Sequence, residues 1–173
     1  MIKQLRGTSE LALMVEHLPV RGRIGLVVMA AELALPRLKP LPNFPVAKEA
    51  FELARRSFDG EPVDPDSFED AIYSEHGEGV GVCAIHAKSQ PEISAWLVLE
   101  SALLYIAFHT YRALGQVPTP LVSEVDEPVL DELDKDLRVI SPGSFTTLVK
   151  TAEVLERNDG LSFAELKAAV STA

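Results

Sequence analysis

A single cysteine, Cys83, stands among the 173 residues, so no disulfide can close within the chain and no oxidising compartment is indicated. Nor is there a charge-free apolar run of the length that crosses a membrane. The most apolar stretch, "ISAWLVLESALLYIAFHTY", is broken by Glu100 and His109 and is expected to be a buried core helix. The opening "MIKQLRGTSELALMVEH" places Glu10 and Glu16 where an export signal needs uninterrupted apolar residues, so a cytoplasmic protein is expected. Fixed-period repeats and runs of alternating strands are also missing, which disfavours solenoids and sheet folds. Between residues 59 and 78 there is no Lys or Arg at all, beside eight carboxylates.

The composition, 47% hydrophobic and 24% charged, is that of an ordinary globular protein, and the length suits one domain with one substantial core. Charge is unevenly placed. Residues 1–58 carry nine Lys/Arg and five Asp/Glu, residues 59–136 carry three and seventeen, and residues 137–173 carry four of each, which together make the net charge of −10. So negative a middle segment disfavours nucleic acid or anionic lipid as its partner and favours a basic protein.

Helical periodicity recurs along the chain. Ser9 caps a short amphipathic helix ending at Pro19, and "RGRIGLVVMAAELAL" is apolar on nearly every face. "PRLKPLPNFP", with four prolines in ten residues, predicts an extended connector. Val46, Ala50, Phe51, Ala54 and Phe58 trace one helical stripe closed by Gly60, and "DPDSFEDAIYSE" predicts an acidic helix opening at Pro65. From Val80 to Ile85 the pattern suits either a short strand or a helix start. The longest helix is expected from Pro91 to about Leu114. Further helices follow at Val125–Leu137, at "FTTLVKTAEVLERN" and at "LSFAELKAAV". The expected architecture is all-α, a single globular domain spanning 1–173, of seven or eight helices around a central apolar helix.

Candidate chemistry is sparse. His76, Cys83 and His86, with Glu75 and Glu78, collect in "EHGEGVGVCAIH", but a structural zinc site wants four converging ligands and only one Cys-x-x-His pair is present. Gly77, Gly79 and Gly81 lack the strand and the Lys-Ser/Thr of a phosphate loop and are expected to give plain flexibility. His109 reads as a polar residue at the rim of a core and His17 as a helix-end cation. Glu100, flanked by apolar neighbours, is expected to pair with Arg112 or an arginine from the start of the chain. No catalytic residue, cofactor site or metal site is assigned.

The acidic segments remain. "SEVDEPVLDELDKD", residues 123–136, holds seven carboxylates against Lys135, and its expected outward face comprises Asp126, Glu127, Asp131 and Asp134. Residues 64–73 add Asp64, Asp66, Glu69 and Asp70, with Tyr73 as an aromatic anchor. A charge run on a helix is ordinarily a solvated face, but here almost no cations stand at pairing distance along the helix. Through its length, the early helical pair "SELALMVEHLPVRGRIGLVVMAAELAL", the apolar "EISAWLVLESALLYIAFHTY" and its acidity, the chain resembles the all-helical immunity proteins of bacterial polymorphic and contact-dependent growth inhibition toxin systems. That resemblance implies a non-enzymatic inhibitor of a cognate toxin domain, in some cases a nuclease, bound through the acidic residues named, with neither nucleic acid nor membrane as partner. Two other readings stay open: a small hydrolase-like enzyme using Glu100 and His109 or the His76–Cys83–His86 segment, and a helical scaffold or regulatory subunit.

Overall fold

The computed structural model describes residues 10–74, 78–123, 125 and 127–173, with only the backbone of residues 127 and 128. Among them the secondary structure is all helix. In order these are α1 (Glu10–Glu16), α2 (Val20–Leu38), α3 (Phe44–Phe58), α4 (Pro65–Ile72), α5 (Val80–His86), α6 (Gln90–Ala113), α7 (Pro120–Ser123), α8 (Glu127–Ile140), α9 (Ser144–Arg157) and α10 (Phe163–Thr172). Ten helices replace the seven or eight expected, for two physical reasons. The glycine-rich segment resolves as α5, and the loop after α6 tightens into the single turn of α7, in which the Val122 and Ser123 amides bond the Thr119 carbonyl.

α6 is the axis of the fold and packs against α2, α3, α4, α5, α7 and α8. Its length and hydropathy would suit a membrane span, yet most of its apolar surface is buried within the molecule. Ser89 caps its start by accepting from the Glu92 amide, and Gly115, at φ 66°, ends it. There the Gln116 amide reaches the Tyr111 carbonyl and the Gly115 amide the Arg112 carbonyl, the paired bonds of a left-handed helix stop. Gly60 closes α3 in the same way. The buried apolar side chains form one cluster to which all ten helices contribute, with Trp96 and Tyr105 of α6 among the largest fully enclosed.

The proline-rich connector departs from expectation. α2 runs through Pro36 to Leu38, and the link to α3 is a set of tight turns, with the Leu41 amide on the Leu38 carbonyl and the Phe44 amide on the Leu41 carbonyl. Pro36 forgoes one helical bond near the end of α2, but the burial of Ala34 and Leu38 on either side holds the last turn in place.

α8 carries a second correction. Leu130, Leu133, Leu137 and Ile140 are buried as its stripe requires, but Asp134 and Asp136 flank that stripe and are buried too, at 7% and 6% exposure. Asp136 accepts from the Ser94 hydroxyl of α6 at 2.7 Å, and Asp134 pairs with Arg138 at 3.1 Å. Burial pushes the Asp136 carboxyl above its ordinary range, with the Ser94 hydroxyl pulling the other way. A carboxyl raised on folding binds its proton more readily in the native state, so its charge opposes folding at neutral pH and ceases to do so as pH falls through the native value. Asp136→Asn, which keeps an oxygen for Ser94, is therefore expected to melt higher than the parent at about pH 7 and to show no advantage at about pH 3. Thermal melts at the two pH values check this, and a variant less stable at neutral pH would contradict it.

Candidate binding face on the acidic helix

α4 starts where the chain supplies its own cap. Asp64 accepts from the Asp66 amide at 3.1 Å, and Pro65 occupies the first turn, where its missing donor costs nothing. Asp64 and Asp66 therefore stand at the positive end of the helix, where negative charge is stabilising. Glu69 and Asp70 stand in the last turn, at the negative end, where it is not.

Inward, Phe68 and Ile72 are buried against α6. Beside them the Tyr111 hydroxyl, near the end of α6, lies 2.5 Å from Asp66 and 2.7 Å from Glu69, and the Thr119 hydroxyl donates to both oxygens of Glu69 at 2.9 Å. Burial and then the two carboxylates push the Tyr111 phenol well above its ordinary value, so it remains a neutral donor. Hydroxyls orient these carboxylates without cancelling their charge. Tyr73, at the end of the helix, donates to Glu100 at 2.8 Å while staying 46% exposed; burial and Glu100 push its phenol up to about 12. Glu100 thus has a phenol as its partner where an arginine was expected.

The two acidic segments are consequently unlike. Among the described side chains of α8, the exposed ones are Asp131, Glu132, Lys135, Arg138 and Val139, two acids against two bases. Lys135 pairs with Glu132 at 3.2 Å, and Arg138 reaches both Asp134 and, at 2.7 Å, Glu10 of α1. Asp134, expected to face outward, is inside, because it follows Leu133 directly and Leu130 by one turn. Asp126 lies outside the described residues, as does the Glu127 side chain. By contrast, among the described residues none of Asp64, Asp66, Glu69 and Asp70 pairs with a Lys or Arg. Asp64, Asp66 and Asp70 are exposed and Glu69 is half-buried.

Two members of this face were missed from the sequence. A cleft of about 460 Å³ between α3 and α4 is lined by Val46 and Leu53 and by three carboxylates, Asp70, Glu49 and Glu78. The signal for Glu49 lay in its position between Val46 and Leu53, half-buried residues at the edge of the stripe on α3 that enters the core.

The alternative chemistries find less. Glu100 and His109 are nine residues apart on α6, half a turn out of phase and about 13 Å apart along the axis, so they do not converge. His109 is buried, edge-on to the Tyr105 and Phe108 rings, on the wall of a largely apolar groove of about 490 Å³. Cys83 and His86 line another cleft with Asn43 and Glu78, where burial raises the thiol pKa, so the thiol is predominantly protonated and a poor nucleophile at neutral pH. Glu75 and His76 lie outside the described residues; among those described, no three His, Cys, Asp or Glu side chains gather as they would around a metal ion.

Comparison with protein-family models, with curated proteins and with solved structures found no match.

Proposed function

We propose that this chain is a cytoplasmic, non-enzymatic, single-domain binding protein that neutralises a cognate basic protein, in the manner of the immunity proteins of polymorphic and contact-dependent toxin systems, and that the α4 face is where it binds. The observation that carries this reading is the unbalanced charge of α4. Two of its carboxylates, Asp66 and Glu69, are held in place by Tyr111 and Thr119, and among the described residues no Lys or Arg pairs with these two or with Asp64 and Asp70. Asp70 in particular stands against the helix dipole, at a cost of about 0.3–1 kcal/mol. A toxin domain that binds phosphates presents Lys and Arg to its substrate, and an oriented acidic face can occupy that surface with fast, steered association. Tyr73, exposed and held through its hydroxyl, supplies a rigid aromatic contact.

The test is co-expression with the product of the reading frame adjacent to the gene. Growth arrest by that product, relieved by this protein and not by a double variant of two exposed carboxylates of this face, Asp70→Lys with Glu49→Lys, is expected. Relief that is unchanged in the double variant would overturn the placement, and the absence of any relief would overturn the function.

A further inference from the structure

The cleft between α3 and α4 does not end at its own boundary. A second cleft, of about 360 Å³, continues toward Pro42 and α5 and shares Val46 and Glu78 with the first. Together they make a trough along α3. Val46, Ala50 and Leu53 are spaced as one helical face and form an apolar floor about 10 Å long, two turns of helix. Glu49, Asp70 and Glu78 stand along its sides, and among the described residues no Lys or Arg lines either cleft and none of the three carboxylates is ion-paired.

We propose that this trough receives one amphipathic cationic helix of a protein partner, with apolar side chains three and four residues apart on one face and Lys or Arg beside them. The proposal rests on the binding-protein reading and names the part of the partner that is bound. The chemistry of the trough selects both features together. A purely cationic segment would leave the floor of Val46 and Leu53 in water and gain little beyond screened attraction. A purely apolar helix would cover the three carboxylates without partners, and unpaired buried charge is strongly unfavourable. A floor two turns long matches anchors at i, i+3 or i+4, and i+7 of an incoming helix.

The probe is a pair of fluorescein-labelled synthetic peptides of about 16 residues and identical composition, leucine with lysine and arginine. In one the leucines follow helical spacing; in the other their order is scrambled. Fluorescence anisotropy on the full chain is expected to show the ordered peptide binding about tenfold or more tightly than the scrambled one. Val46→Arg and Glu78→Lys, each checked for an unchanged circular dichroism spectrum, are each expected to weaken the ordered peptide by a similar factor. Val46→Arg attacks the floor and Glu78→Lys the wall, and Glu78 is exposed, so its variant folds even if the other does not. Equal binding of the two peptides, or a folded Glu78→Lys variant that binds as the parent does, would overturn the proposal. A neighbouring toxin still neutralised by Val46→Arg would overturn the trough and leave the function standing. Ordered-peptide binding without neutralisation of the toxin would do the reverse.

Discussion

Gly79→Ala is expected to destabilise the fold by about 3 kcal/mol, near the upper end for an overpacked site, and to lower the melting temperature by roughly 6–12 °C. A methyl group at this position would stand 2.2 Å from the Ile72 carbonyl oxygen, 2.7 Å from its carbon and 2.9 Å from the Ser74 amide. All three contacts are backbone, so no side chain can rotate away to relieve them. The backbone of Gly79 itself, at φ −80°, is open to any residue, and the penalty is therefore one of space. Gly79 opens α5 directly against the end of α4, and the two helices cannot meet this closely with any larger residue between them. Gly60→Ala gives the matching control from conformation: nothing lies within 4 Å of an added Cβ there, but φ of 86° is in the left-handed region. Its cost is expected to be smaller, about 1 kcal/mol. Thermal melts of the two variants check the order, and a Gly79→Ala protein as stable as the parent would contradict the α4–α5 contact.

Charge reversal should separate the two acidic helices as sharply. Asp134→Lys is expected to destabilise by about 2–3 kcal/mol, because it places a cation in a position 7% exposed and next to Arg138. Asp70→Lys, exposed and in the last turn of α4, is expected to leave stability unchanged or to raise it by up to about 1 kcal/mol, since a cation suits that end of the helix. Chemical denaturation of both variants decides between a buried structural carboxylate and a solvent-facing one. Equal effects would show that burial does not distinguish the two positions.

Much of this architecture was readable from periodicity and punctuation. The stripe on α3, the stops at Gly60 and Gly115 and the long apolar α6 all follow from residue spacing, because helix period and left-handed glycine stops are local properties. The places that misled were those where tertiary contact outweighed local preference. Pro36 stays inside α2 because its neighbours Ala34 and Leu38 are buried. α5 forms from a segment with two glycines because Gly79 lets it pack against α4. The site was legible only as charge. Counting carboxylates cannot say which are offset by cations distant in sequence, and Glu10 and Arg138, 128 residues apart, are paired in the structure. Nor can it say that Asp134 and Asp136 turn inward while Glu49, one turn from Val46, turns out toward Asp70. The acidic stretch that looks densest in the sequence is the one whose described exposed charge the fold balances, and the sparser one is left negative.

The central claim, that α4 and not α8 is the binding face, is tested most directly by association kinetics with the neighbouring gene's product at low and at high salt. Asp70→Lys and Glu132→Lys should be compared, since each reverses one exposed carboxylate, the first on α4 and the second on α8. Asp70→Lys is expected to slow association about tenfold or more at low salt and to flatten its salt dependence, while Glu132→Lys changes the rate less than about twofold. Equal slowing by the two variants, or a larger effect from Glu132→Lys, would contradict the assignment of binding to α4.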